Sequence, residues 1–225
     1  TDCAYPHLPV RVVGHHSGIS MGFYGTSHHS LEDIGIMRTI ADLTVVCAAD
    51  ANQLRAILRE SLTHDGAMYI RLGRGRDPEV YSEVPKLVFG KSIKLRSGSD
   101  LAIVATGSEV YPSLEAATRL AATGINASVY DFHTLKPFDF DSLSEIASHG
   151  NILTVEEHNR TNGLGTAFAE ALMDGGFGHT RLYRHGVPDI HVPVGPPAAL
   201  YAHYRLDADG IVSVANEFLG TTPKS

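Results

Sequence analysis

Four histidines lie within one glycine-rich stretch, residues 15–33, which reads HHSGISMGFYGTSHHSLED. They form two adjacent pairs, His15 with His16 and His28 with His29. An imidazole titrates near neutral pH, so a well-placed histidine can accept and donate protons in catalysis. Adjacent histidines in a loop are also often solvated polar residues, and composition leaves both interpretations open. No cysteine, aspartate or third histidine stands at a familiar zinc-ligand spacing, which argues against a metal site.

Three arginines, Arg71, Arg74 and Arg76, follow an apolar run and alternate with leucine and glycine. A guanidinium in a glycine-rich turn at the end of a strand suits an anion such as phosphate or carboxylate. The alternative is a linker whose arginines form salt bridges with Asp77 and Glu79. Spacing alone favours this alternative slightly.

Two further glycine motifs have simpler explanations. The tetrapeptide at residues 162–165, NGLG, is only a weak match to a dinucleotide-binding loop, and we predict a tight structural turn there. In the tripeptide at residues 107–109, Ser108 is predicted to cap a helix and Glu109 to complement the helix dipole.

Strands and helices alternate along the chain and must position these residues. Apolar runs predict strands at 9–14, 43–48, 67–72, 101–106, 127–131, 152–156 and 181–183. Helical spacing predicts helices at 30–40 with Ser30 as the N-cap, and at 51–62, 108–123, 140–148, 166–173, 197–204 and 209–219. Residues 73–100 lack a sustained period and are typical of a linker, with a short extended piece at 87–95.

This alternation predicts an α/β protein with two α/β domains, whose mostly parallel sheets are covered by helices. We assign residues 1–76 to the first domain, 77–98 to the linker and 99–225 to the second domain. Ligands of open α/β sheets bind beyond the carboxyl ends of the strands, and the histidine-rich loop lies at such an end.

Composition excludes several classes of protein. The formal net charge is −7, which disfavours nucleic-acid binding. Two cysteines, Cys3 and Cys47, make no disulfide framework and fit a reducing, cytoplasmic compartment. No apolar run approaches the length of a membrane span, and no secretory signal is evident at the start.

Several segments resemble, in order and spacing, the C-terminal portion of the transketolase family. GTSHHSLEDIGIMRTI (25–40) is similar to the family's Gly-Pro-Thr-His-Gln segment and the helix after it, and LTVVCAADANQ (43–53) and GAMYIRLGRG (66–75) to the next two strands of its pyrimidine-binding domain. VATGSEV (104–110), DFHTLKPFD (131–139), LTVEEH (153–158) and GVPD (186–189) resemble its C-terminal domain. The likeness covers nearly the whole chain.

The resemblance implies a thiamine diphosphate cofactor, held with a divalent metal (Mg) in the complete enzyme, and two-carbon ketol transfer between sugar phosphates. His16 and His28 match family histidines that contact substrate and assist proton movements. Arg74 matches the arginine that binds the sugar phosphate.

Other positions of the same loop are carried over as substrate-binding candidates. Glu32 matches an acidic position beside the site, and His29 is a supporting candidate without a family counterpart, as is His15. The family has an aspartate that contacts a substrate hydroxyl four residues before the second histidine. Tyr24 stands there in this chain, so the sugar is expected to differ.

The family's cofactor-activating glutamate, its pyrimidine-stacking aromatic residue and its diphosphate–metal domain are expected upstream of Thr1. The isolated chain is therefore expected to be inactive. It is interpreted as a fragment of a longer enzyme or the smaller subunit of a split transketolase. Its partner is then an N-terminal thiamine-diphosphate-binding part or subunit, in a homodimer or heterotetramer.

Three alternatives stay open. Deoxyxylulose-phosphate synthase and the beta subunit of 2-oxo-acid dehydrogenases share the family's fold, and the His28-His29-Ser30 sequence does not exclude the latter. Arg74 favours a phosphorylated substrate over an oxo acid. The third alternative is a non-catalytic assembly module, because the family's C-terminal domain mainly packs against its neighbours.

Overall fold

The computed structural model describes residues 2–75 and 77–221. Its strands are β1 (Arg11–Gly14), β2 (Thr44–Cys47), β3 (Met68–Arg71), β4 (Ile93–Arg96), β5 (Leu101–Ala105), β6 (Ala127–Asp131), β7 (Thr134–Lys136), β8 (Asn151–Asn159) and β9 (Arg181–Val187). Its α-helices are α1 (Asp33–Thr39), α2 (Ala51–Ser61), α3 (Val110–Ala122), α4 (Phe140–Ala147), α5 (Leu164–Asp174), α6 (Pro197–His203) and α7 (Ala208–Leu219). None of these helices has the length and apolar character needed to cross a membrane.

The first sheet has the strand order β1-β3-β2-β7. β3 pairs in parallel with both β1 and β2, so the carboxyl ends of these three strands lie at one edge. β7 pairs antiparallel with β2, and it belongs to the second half of the chain. Sequence periodicity missed β7 because a strand of three residues is too short to show alternation.

The second sheet has the order β4-β6-β5-β8-β9. Its last four strands in this order are parallel, and β4 pairs antiparallel with β6 at the edge. The predicted α/β architecture with mostly parallel sheets is therefore confirmed. β4 arises from the segment predicted as a linker, so part of that segment completes the second sheet.

The buried central strand β5 shows how the second sheet is covered on both faces. Leu101, Ile103 and Ala105 pack with α3 and α7, whereas Ala102 and Val104 pack with α4 and α5. Adjacent residues of a strand point to opposite faces, so one apolar run serves two helical layers. The second layer also contains residues of β2 and β3, which joins the two halves in one core.

Two predicted helix starts are wrong, for the same physical reason. Ser30 does not cap α1, which begins at Asp33, because the Ser30 backbone forms a bridge with Gly18. Ser108 does not cap α3 either: it lies in a short 3₁₀ turn, and its hydroxyl donates to the Glu157 carboxylate at 2.8 Å. In both cases a distant partner outcompetes the local capping interaction.

Candidate active site

The histidine-rich loop is held at the carboxyl edge of the first sheet by backbone hydrogen bonds. The amide of His16 donates to the Gly73 carbonyl at 3.3 Å, and the amide of Ser17 donates to the Leu72 carbonyl at 3.0 Å. These bonds extend the pairing of β1 with β3 past the end of both strands. The sequence therefore brings the loop and the arginine-rich turn together, as the strand-end rule predicts.

A cavity of about 340 Å³ opens at this edge, and His16 and Arg74 both line it. The His16 ring is in edge contact with His15, with 4.3 Å between ring centroids. Partial desolvation lowers the pKa of His16, and the positive charges of His15 and Arg74 lower it further. The lowered pKa favours the neutral imidazole, which is the form that can accept a proton.

His16 also has a left-handed backbone, with φ of +62°. A non-glycine residue rarely adopts this conformation, and it persists where the surroundings impose it. The loop around His16 is thus held in one shape by its neighbours.

The Arg74 side chain is exposed and donates one weak hydrogen bond, at 3.4 Å, to the Ser20 carbonyl. Among the described residues it forms no ion pair, and in particular none with Asp77 or Glu79. Asp77 instead accepts from the Gly75 amide at 3.3 Å. The salt-bridged linker that spacing favoured is therefore wrong for Arg74, whose guanidinium is available to an anion in the cavity.

Arg71, the first of the three arginines, has a different role. It is buried in β3 and pairs with Asp33 through a 2.8 Å bond from Nε to Oδ2. Its Nη2 donates to the Ser30 carbonyl at 3.1 Å and the Glu157 carbonyl at 2.8 Å. The sequence had allowed Arg71 to bind an anion or to pair with Asp77. The structure shows that it does neither, because its donors are taken by Asp33 and by two carbonyls. Arg76 lies outside the described residues.

Asp50 lines the same cavity, but its carboxylate is already occupied. Oδ1 accepts from the Gln53 amide at 2.7 Å and caps α2, and Oδ2 accepts from the amides of Val80 and Tyr81 at 2.8 Å each. Asp50 therefore fixes the segment after the arginine-rich turn against the sheet. Asp50 was not among the predicted site residues, although an aspartate directly before a helix is a recognisable N-cap signal.

His28 and Tyr24 lie on a 3₁₀ helix, Gly22–His28, in the outer part of the loop. Their rings stack with 4.8 Å between centroids, and the Nδ1 atom of His28 lies 2.9 Å from the Ser27 hydroxyl. Both side chains are exposed and do not line the cavity of His16 and Arg74.

His29 and Glu32 line a second cavity of about 310 Å³, together with His191. Burial lowers the pKa of His29, and the opposing charge of Glu32 is the smaller effect. Both ring nitrogens of His29 lack a hydrogen-bond partner among the described residues. The six predicted site residues therefore fall into three pairs: His16 with Arg74, Tyr24 with His28, and His29 with Glu32.

Two consecutive glutamates, Glu156 and Glu157, lie in β8, which was predicted to end at residue 156 and continues instead to Asn159. Both are buried. Glu156 accepts from the amides of Leu164 and Gly165 at 2.6 and 2.9 Å. These are the first two residues of α5, so only residues 162–163 of the turn predicted at 162–165 lie outside the helix. Glu157 contacts the histidine-rich loop. Paired charges inside an apolar strand are unusual and are the signal that could have revealed this role.

Two family models match the chain. The model for "Transketolase, pyrimidine binding domain" matches residues 1–78, and that for "Transketolase, C-terminal domain" matches residues 90–211.

Two of the similar proteins are transketolase subunits. One subunit of the apulose-4-phosphate transketolase from Phocaeicola vulgatus is 36% identical over 220 residues, which are 97% of this chain and 70% of the relative. The 6-deoxy-6-sulfo-D-fructose transketolase subunit SqwH of a Clostridium species is 40% identical over 215 residues, 95% of this chain and 66% of the relative.

A solved structure described as a split-gene transketolase, inactive beta4 tetramer, superposes with a TM-score of 0.88 at 37% identity. The superposition covers 97% of this chain and 70% of that structure's chain. Sequence, domain models and fold agree over nearly the whole chain. The chain belongs to the transketolase family of thiamine-diphosphate enzymes.

Proposed function

We propose that this chain is the C-terminal part, or the corresponding subunit, of a thiamine-diphosphate-dependent transketolase that transfers a two-carbon ketol unit between sugar phosphates. The observation that carries the proposal is the cavity shared by His16 and Arg74 at the carboxyl edge of the first sheet. The similarity to subunits of split transketolases supports it.

Arg74 binds the phosphate of the sugar in this proposal. Its guanidinium projects from a glycine-rich turn, has no carboxylate partner among the described residues, and can donate two parallel hydrogen bonds to phosphate oxygens. The lowered pKa of the neighbouring His16 is compatible with a phosphate in this cavity. A neutral imidazole has one donor and one acceptor nitrogen, so it can form either kind of hydrogen bond with the substrate.

His16 and His28 are the proposed catalytic residues, which move protons between substrate hydroxyls and solvent. General acid–base catalysis by a placed histidine contributes about 10²–10⁴-fold. Tyr24 stacks on His28 and contacts the sugar where the family has an aspartate. His29 and Glu32 contribute polar contacts from the adjoining cavity.

Thiamine diphosphate, if bound here, would supply the nucleophilic carbon for ketol transfer. The residues of this chain fit the substrate side of such a site and not the diphosphate end, because no group of three or more metal-ligating side chains occurs among the described residues. Asp50 and Asp77, the carboxylates of the cavity, already accept backbone amides. In this proposal the Mg ligands and the cofactor-activating glutamate belong to an N-terminal part or subunit.

In this proposal the chain works in the cytoplasm, within a homodimer or heterotetramer, and is inactive alone. The test is a coupled assay of ketol transfer with pentose phosphates, Mg and thiamine diphosphate, run with and without the thiamine-binding partner. We expect transfer only when both are present, and about 10²-fold less with His16→Ala. Turnover of pyruvate instead of a ketose phosphate would assign the chain to one of the other thiamine enzymes.

A further inference from the structure

A buried carboxylate of the second half of the chain receives four hydrogen bonds. The side chain of Glu157 accepts from the Ile19 amide at 2.8 Å, the Ser108 hydroxyl at 2.8 Å and the Ser17 hydroxyl at 3.2 Å. The hydroxyl of Tyr201 completes the set. Glu157 is 1% exposed, so its carboxylate depends on these donors in place of water.

The four donors come from two regions of the fold. Ser17 and Ile19 flank Gly18 in the histidine-rich loop. Ser108 lies just before α3, and Tyr201 lies on α6. One carboxylate thus connects the loop that carries His16 to the second sheet and its helices. The backbone carbonyl of the same residue accepts from Arg71, which anchors it to β3 as well.

The fit at Gly18 shows how close this contact is. A Cβ atom on Gly18 would lie 2.1 Å from the carboxyl carbon of Glu157, well inside van der Waals contact. Gly18 also has φ of +57°, which glycine adopts without strain. Glycine therefore allows the loop backbone to rest directly on the carboxylate.

We propose that Glu157 is a positioning residue, which fixes the loop so that His16 points into the cavity shared with Arg74. This rests on the proposed function for its catalytic consequence. The left-handed conformation of His16 needs surroundings that hold it in place. Glu157 accepts hydrogen bonds from Ser17, the next residue, and from Ile19. A displacement of about 1 Å in a catalytic group can lower the rate about 10²-fold.

Glu156 offers a matched control. It is the adjacent residue of the same strand and equally buried, but its carboxylate accepts from Leu164 and Gly165, at the start of α5. Glu157→Gln and Glu156→Gln thus make the same chemical change one residue apart. Only the first change alters a contact to the loop.

The test is hydrogen exchange of the full chain, followed by mass spectrometry on peptides that cover residues 15–22, together with transfer kinetics in the complex with the partner subunit. We expect Glu157→Gln to speed exchange in residues 15–22 at least about fivefold and to lower kcat about tenfold, and Glu157→Ala to lower it about 10²-fold. Glu156→Gln should leave exchange in this loop and kcat close to wild type, and affect residues 162–168.

Unchanged exchange of the loop in Glu157→Gln, or an equal increase in Glu156→Gln, would overturn the proposal. So would a kcat of Glu157→Ala equal to that of the wild type despite a loosened loop. Absence of transfer in the wild-type complex would instead refute the proposed function, and the exchange comparison would then decide the positioning role alone.

Discussion

Replacement of Arg71 by methionine should destabilise the fold more than any surface change, because Arg71 connects three parts of the chain. Its side chain is 2% exposed and bonds to the Asp33 carboxylate and to the carbonyls of Ser30 and Glu157. Methionine preserves the aliphatic length and removes the charge and every donor.

The size of the expected loss of stability follows from the buried Asp33 carboxylate, which Arg71→Met leaves without its charged partner. Asp33 would keep one hydrogen bond, from the Tyr69 hydroxyl at 2.7 Å, while its Oδ1 atom already lacks a partner within the described part of the chain. Burial acts to raise the pKa of Asp33, but the charge of Arg71 and the bonds from Arg71 and Tyr69 outweigh it and hold the pKa below its usual value. Breaking a buried pair by removing one partner costs about 3–5 kcal/mol.

The assay is urea unfolding of the wild type, Arg71→Met, Asp33→Asn and the double variant. With a denaturant slope of about 3 kcal/mol/M, a loss of 3–5 kcal/mol lowers the midpoint by about 1–2 M. The double variant should lose less stability than the two single variants lose in sum, by about 1.5 kcal/mol or more. The reason is that it removes both charges together and leaves neither buried without a partner. A loss below about 1 kcal/mol in Arg71→Met, or strict additivity, would refute the reasoning.

Two further predictions concern buried groups. Burial raises the pKa of Asp131 to about 7, against an unfolded value of 3.8. Between these two pKa values the folded state holds a proton that the unfolded state has released. The free energy of unfolding therefore falls as the pH rises from about 4 to 7. Asparagine mimics the protonated acid, so the wild type should lose roughly 2–3 kcal/mol relative to Asp131→Asn between pH 5 and pH 8 in urea unfolding; a constant difference would contradict this. Gly18→Ala should cost about 2 kcal/mol or more in the same assay, because backbone strain adds to the clash with Glu157. Gly124→Ala, with φ of +91° and open space around its Cβ, should cost only about 1 kcal/mol, and equal losses would count against the contact.

The alternation of strands and helices was predictable because both sheets are mostly parallel and buried on both faces. Strands such as β5 therefore appear as continuous apolar runs bounded by turns. The short strand β7 was not predictable, because its pairing with β2 depends on the packing of two halves that are distant in sequence. The caps at Ser30 and Ser108 failed for the same reason, since a long-range partner decided each.

The pairing of His16 with Arg74 could be anticipated from the strand-end rule and from the resemblance to transketolases, because β1 and β3 are neighbours. The different roles of Arg71 and Arg74 could not be anticipated from the sequence. Residues three apart in one arginine-rich run differ completely in burial, and only the position of the strand end decides which one is exposed. Spacing gave no sign that Arg71 pairs with Asp33.

The most direct test of the central claim compares phosphorylated and unphosphorylated ketoses in the complex of this chain with its thiamine-binding partner. Arg74 is exposed and lacks an ion pair among the described residues, so Arg74→Gln should leave unfolding unchanged. We expect it to raise KM for the ketose phosphate about 10–100-fold, as loss of a charge-assisted bond of about 1.5–3 kcal/mol implies, and to leave kcat/KM for the unphosphorylated ketose nearly unchanged. Equal effects on both substrates, or none on either, would contradict the assignment of this cavity as the sugar-phosphate site.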